Sequence, residues 1–218
     1  VVMLLEAQSK TSTATHLKDS VYNNMKQVSI TGSANGIGKA IVDLLLLNDY
    51  NVLQFDIEHD ISKPENRQHI IEQSKDCDVF INNAWDAVET ASQLQMYYDM
   101  IDEWHDDKDK HILNMGSLMK YKAIDVTFAG PPADTDKPLY SNAYRITKKE
   151  LHKQTILKHL DLSILCKMTI LQPGFTETDF TTEFGEGIVM MKPAQVARQV
   201  LNALESDVHI IESSFKIR

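Results

Sequence analysis

The chain of 218 residues is 43% hydrophobic and 24% charged, the balance of a folded globular protein with room for one α/β domain and too little for two of ordinary size. With 22 basic against 31 acidic side chains the formal charge is −9 and no basic stripe stands out, so the long-range field repels a phosphate backbone and argues against nucleic-acid binding. No apolar run approaches the roughly 20 residues of a membrane helix, which argues against a membrane-spanning role.

Two cysteines, Cys77 and Cys166, sit in apolar stretches that read as strands. Their number excludes a disulfide scaffold, and buried thiols of this kind suit a cytoplasmic protein. Residues 1–24, rich in Ser, Thr, Asn and Lys after a short apolar start, read as a flexible N-terminal extension, and 25–218 as the folded domain. The opening segment is a poor secretory signal and, lacking arginine, a poor mitochondrial one.

From Lys26 onward the pattern is regular. Val28 to Thr31 is a short strand followed by a Gly-rich turn, and Ile37 to Leu47 carries Ile37, Ile41, Leu44 and Leu45 at helical spacing. Asn51 to Ile57 reads as a second strand, and Pro64 to Lys75 as a helix with Pro just inside its start. A third strand spans Asp78 to Asn82. Thr90 to Trp104 is a helix presenting Leu94, Tyr97, Tyr98 and Ile101 on one face. His111 to Met115 is strand-like, Ser141 to Leu160 a long helix, and Leu162 to Leu171 a strand. Pro193 to Leu204 is a helix, and Val208 to Ile211 a last short strand. Strands alternating with helices predict a doubly wound Rossmann-type α/β domain with a mostly parallel sheet covered on both faces.

Three local patterns carry chemistry. Thr31-Gly32-Ser33-Ala34-Asn35-Gly36-Ile37-Gly38 lies between the first strand and the first helix, where glycines permit a tight turn and close approach of a pyrophosphate to the helix N-terminus. Asp56, at the end of the second strand, is placed to accept hydrogen bonds from adenosine ribose hydroxyls and to repel a 2′-phosphate. This favours NAD over NADP. Tyr144 and Lys148 share one face of the long helix, where an ammonium lowers the pKa of a nearby phenol and lets it exchange a proton near neutral pH. Ser117, just past the strand ending at Met115, is placed to hydrogen-bond the same substrate oxygen.

Together these residues resemble the short-chain dehydrogenase/reductase family. The Thr-Gly-x-x-x-Gly-x-Gly turn at 31–38, Asn82-Asn83-Ala84, Ser117, Tyr144-x-x-x-Lys148 and Pro173-Gly174-x-x-x-Thr178 follow in the family's order over residues 26 to 211. The resemblance implies a sheet of about seven strands in the order 3-2-1-4-5-6-7. It implies Tyr144 as acid/base, Lys148 as ligand of the nicotinamide ribose and tuner of Tyr144, and Ser117 as the group orienting the substrate. Gly32, Asn35, Gly36, Ile37 and Gly38 would line the pyrophosphate and Asp56 the ribose, with the pair Asp60-Ile61 beside the adenine. Asn83 and Ala84 would lie along the cofactor, as would Pro173 and Gly174, and Thr176 and Thr178 would hold the carboxamide. The implied activity is NAD(H)-dependent interconversion of an alcohol and a carbonyl on a small molecule. The implied assembly is a homodimer or homotetramer through the helices at 90–104 and 141–160.

Several positions depart from the family pattern. Trp85 stands where glycine usually follows Asn-Asn-Ala, and an indole there crowds the nicotinamide pocket or walls the substrate. The family often has an asparagine on the next helix that holds a water in a proton relay; between Thr90 and Trp104 there is none, and Gln93 and Gln95 are the candidates to replace it. The stretches from Asp56 to Asp60 and from Asn83 to Ser117 are short, the former as though a helix were omitted. Ser117 to Tyr144 is long, with Gly130-Pro131-Pro132 marking a loop. Two other readings therefore stay open: a dinucleotide-binding protein without turnover, and an epimerase or dehydratase on the same fold. Two weaker features complete the reading. The His- and Asp-containing stretch from Trp104 to His111 reads as a solvated loop rather than a metal site. Phe175, Phe180, Phe184, Met190 and Met191 form either an apolar substrate lid or packing on the sheet.

Overall fold

The structure, a computed structural model, describes residues 25–86, 88–118, 142–178, 181 and 190–206. Five parallel strands form one sheet: β1 (Gln27–Thr31), β2 (Asn51–Phe55), β3 (Val79–Asn82), β4 (His111–Met115) and β5 (Lys167–Leu171), in the order β2-β1-β3-β4-β5. The helices are α1 (Gly36–Leu47), α2 (Pro64–Ser74), α3 (Ser92–Trp104), α4 (Asn142–His159) and α5 (Pro193–Leu204). Residues 1–24, the expected last strand at 208–211, and most of the loop between Ser117 and Tyr144 lie outside the described residues.

Neighbouring residues on a strand point to opposite faces, and both faces are buried. On one side Val28, Ile30, Val79, Ile81, Leu113 and Leu171 meet Ile41, Val42 and Leu45 of α1 and Val196, Val200 and Leu204 of α5. On the other, Phe80, Ile112, Met168 and Ile170 meet Ile70 and Ile71 of α2, Leu151 of α4, and Met96, Tyr97, Met100, Ile101 and Trp104 of α3. The expectation of a doubly wound parallel sheet is met.

Several boundaries need correction. Five strands fall among the described residues, in accord with the expected fold, and the expected last strand at 208–211 lies outside them. A single 3-10 turn (Ile57–His59) links β2 to the approach of α2, where the short sequence suggested an omitted helix. Ile57 was expected inside β2. It is instead 88% exposed, because the chain turns once the Asp56 carboxylate accepts a hydrogen bond from its amide. The strand expected from Leu162 begins only at Lys167. Leu162 and Leu165 lie on the surface, in a turn where Asp161 accepts hydrogen bonds from the amide and hydroxyl of Ser163. Cys77 and Cys166 are free and buried, but they immediately precede β3 and β5 rather than lying within them. Burial pushes both thiols up, Cys166 to about 11, which keeps them protonated and unreactive. In α3 the buried stripe runs through Gln93, Met96, Tyr97, Met100, Ile101 and Trp104; Leu94 and Tyr98 lie at its margin.

Candidate active-site cleft

A cleft of about 810 Å³ opens at the C-terminal ends of all five strands. The chain leaves β1 for β2 on one side and returns to β3 on the other, so the cleft straddles the point where strand order reverses.

Its floor is the turn after β1. Gly32 and Gly36 adopt φ of +68° and +54°, a region that side chains rarely occupy. Gly38, in the first turn of α1, is tighter still: a Cβ there would lie 1.8 Å from the Gly32 carbonyl oxygen. The turn is clamped from β3, since the Asn83 side-chain amide donates to the carbonyls of Thr31 and Gly32 at 3.1 and 2.9 Å. Thr31 Oγ1 in turn accepts from the amides of Asn83 and Ala84 at 3.2 and 3.1 Å. Asn35 and Ile37 line the cleft where α1 begins, and Asn35 makes no capping bond with its side chain. The free amides at that helix end therefore face the cleft. Gly38→Ala tests this packing. Alanine favours a helix, but the overlap with Gly32 outweighs that gain, and the expected loss is about 2–3 kcal/mol, or roughly 4–12 °C in Tm. A thermal melt that leaves Tm unchanged would show that the turn yields freely.

At one end of the cleft Asp56 accepts hydrogen bonds from the backbone amides of Ala34 and Ile57, so its carboxylate is fixed beside the turn. Asp60 lines the same end and accepts from the Ser62 amide at 2.9 Å, which with the Ser62 hydroxyl holds its carboxyl below the usual range. Ile61 is buried beneath it. The sequence reading missed the residue that anchors this wall, Arg67. Its guanidinium donates to the carbonyls of Ile61 and Ser62 at 3.0 and 3.3 Å and pairs with Asp99 of α3 at 2.6 Å.

At the other end Ser117, Tyr144 and Lys148 come together with Met115, Gly116 and Trp85. Tyr144 is buried, which pushes its phenol up, and a hydrogen bond from Ser117 draws it part of the way down. The Lys148 amine sits 5.5 Å from the centre of the Tyr144 ring and is itself lowered to about 7 by burial. This corrects the expectation that the lysine pulls the phenol down: desolvation governs both groups here. Trp85 meets the Tyr144 ring edge-on, centroids 4.8 Å apart, so the indole walls the end of the cleft that holds Tyr144.

The remaining expected residues also line the cleft. Pro173, Gly174, Phe175, Thr176 and Thr178 follow β5, and Thr176 Oγ1 donates to the Gly174 carbonyl at 3.1 Å. Of the five residues considered as a lid, Phe175 lines the cleft, Met190 is half-buried and Met191 packs against the α1/α5 core, while Phe180 and Phe184 lie outside the described residues.

Comparison with solved structures decides the architecture. A short-chain dehydrogenase from Burkholderia cenocepacia J2315, solved in complex with NADP, superposes with a TM-score of 0.65 at 16% identity, over 88% of this chain and 89% of that one. A 3-ketoacyl-(acyl-carrier-protein) reductase from Brucella melitensis, complexed with NADH, gives 0.64 at 16% identity over 86% and 96%. The chain has the short-chain dehydrogenase/reductase fold. The ligand-free aldohexose dehydrogenase of Thermoplasma acidophilum shares that fold with a TM-score of 0.63 at 19% identity, over 81% of this chain and 86% of that one. No family model and no curated protein matches the sequence. Within the short-chain dehydrogenase/reductase fold the cleft of this chain occupies the strand ends, and among the described residues no helix is long and apolar enough to cross a membrane.

Proposed function

We propose that the chain is an NAD(H)-dependent oxidoreductase that interconverts an alcohol and a carbonyl on a small molecule. The observation that carries this reading is one continuous cleft with the Gly-rich turn and Asp56 at one end and Ser117, Tyr144 and Lys148 at the other. The residues fit a dinucleotide. The glycine cradle leaves no room for a Cβ at Gly38, α1 turns its free amides toward the cleft, and Asp56 is fixed where a ribose diol would reach it. A nicotinamide cofactor supplies or accepts the hydride; the protein positions it and handles the proton. Tyr144 exchanges that proton with the substrate oxygen at its phenolic hydroxyl, Ser117 holds the same oxygen, and Lys148 binds the nicotinamide ribose. Thr176 and Thr178 hold the carboxamide, and Trp85 walls the pocket beside Tyr144. The similar structures were solved with NADP and with NADH, so the preference for NAD rests on Asp56 alone.

Parallel titrations of NADH and NADPH by calorimetry and tryptophan fluorescence test this reading. NADH is expected to bind at least tenfold more tightly, about 1.4 kcal/mol, and Asp56→Ser should narrow the gap by relieving repulsion of the 2′-phosphate. Tighter binding of NADPH would remove the role given to Asp56, and binding of neither would remove the oxidoreductase reading. The edge-on contact of Trp85 with Tyr144 favours one alternative, a dinucleotide-binding protein without turnover. It predicts NADH binding with no oxidation of the cofactor by any carbonyl and no effect of Tyr144→Phe.

A further inference from the structure

Lys148 is fully buried, yet no carboxylate pairs with it among the described residues. Its amine donates to two oxygens, Gln93 Oε1 at 2.6 Å and the Met115 carbonyl at 2.9 Å. Gln93 is itself completely buried and locked at its other end, where its Nε2 donates to the carbonyls of Asn82 and Met115 at 2.9 and 3.1 Å. The lock extends further. Asn82 Nδ2 donates to the Gln93 carbonyl and to Asn114 Oδ1 at 3.0 and 2.8 Å, and Asn114 Nδ2 donates to Thr155 Oγ1 on α4 at 3.1 Å. A carboxamide with both ends committed cannot rotate, so the acceptor offered to the lysine has a fixed position.

We propose that Gln93 is a positioning residue for Lys148: a neutral, immobilised acceptor that fixes the amine at the floor of the cleft without pairing it with a charge. The proposal rests on the reading of Lys148 as part of the reaction centre. A glutamate in the same place would serve as an acceptor too, but it would keep the amine protonated. Among the described residues the other groups facing the amine are neutral: Tyr144 on its own helix and the Met115 carbonyl from β4.

The test follows the proton on Lys148 by two independent readouts. The first is thermal stability from pH 6 to 10 for the full chain, Gln93→Glu and Gln93→Met, each measured with and without Lys148→Met. The difference within each pair reads the titration of Lys148, coupled in the Gln93→Glu pair to that of the glutamate beside it. In the wild-type pair the difference should begin to climb near pH 7, where folded Lys148 starts to lose its proton, in the Gln93→Glu pair at least one pH unit higher, and in the Gln93→Met pair lower. Coincident curves in all three pairs would make Gln93 a packing residue and overturn the proposal. If one variant does not fold, the other still reads the shift in its own direction. The second readout is NADH affinity over the same range, in which the midpoint of the pH dependence should move in the same order. Failure of NADH to bind at any pH would count against the oxidoreductase reading, while the stability pairs would still decide the role of Gln93.

Discussion

Tyr144→Phe is expected to lower NADH consumption with any active carbonyl by about 10²–10⁴-fold and to leave NADH affinity close to that of the parent. The ring survives the substitution, and with it the edge-on contact to Trp85 and the burial against the cleft wall. Only the hydroxyl is lost, together with its hydrogen bond to Ser117, at a stability cost of about 1 kcal/mol. A large loss of rate with a small change in Tm is therefore the signature of a proton-transfer role. Full turnover by the variant would refute it. The phenol also sets a direction for the pH dependence. Burial raises its pKa, so at neutral pH it holds its proton and is ready to donate one to a carbonyl. Carbonyl reduction should run at neutral pH, and alcohol oxidation, which needs the phenolate, should climb as the pH becomes alkaline.

The second large effect concerns stability. Lys148→Met is expected to raise Tm at pH 6 while removing the group proposed to bind the nicotinamide ribose. Burial lowers the amine to about 7, whereas in the unfolded chain it titrates at the ordinary lysine value. Below pH 7 both states are protonated, and the folded state bears the whole burden of a buried ammonium. Between that point and the unfolded value the unfolded chain binds a proton that the folded chain has released, so the stability of the parent rises with pH. Methionine keeps most of the stem volume and carries no charge. The advantage of the variant is therefore largest below pH 7 and shrinks toward pH 10, by about 4 kcal/mol in total. The hydrogen bonds lost at Gln93 and Met115 offset about 1–2 kcal/mol of it. Melting curves at pH 6 and pH 9.5 check the sign. A variant less stable than its parent at pH 6 would mean that the two carbonyl acceptors fully compensate the buried charge.

Much of the fold was legible because helical and strand periodicities differ: Ile41, Val42 and Leu45 mark the buried side of α1, and Val28 and Ile30 that of β1. The reading failed where apolar residues serve no core. Ile57, Leu162 and Leu165 prolong apolar runs in the sequence yet lie at the surface, because Asp56 and Asp161 turn the chain beside them. In the cleft, ordered motifs located the glycines, Asp56, Ser117, Tyr144 and Lys148, since each sits directly after a strand or at a helix start. Arg67 was harder, since its carbonyl partners are brought close only by the fold. Gln93 was legible only beside Gln95 as a stand-in for the helix asparagine, and burial, which singles out Gln93 from the exposed Gln95, comes only with the fold. The protonation states were not legible either. Spacing puts Tyr144 and Lys148 on one face of α4, but burial, which spacing does not report, decides their pKa values.

The short turn Ile57–His59 after β2 has a consequence for how such a molecule can change. Among the described residues β2 is the margin of the sheet, and its outward amides and carbonyls have no neighbouring strand. Residues inserted between Asp56 and Asp60 would extend the sheet sideways without altering the register of β1 against β3 or β4 against β5. The end of the cleft holding Asp56 and Ile61 would be remodelled, and the end holding Tyr144 and Lys148 left as it is. The architecture thus lets the rim that holds Asp56 lengthen or shorten over time while the end that holds Tyr144 and Lys148 stays under separate constraint.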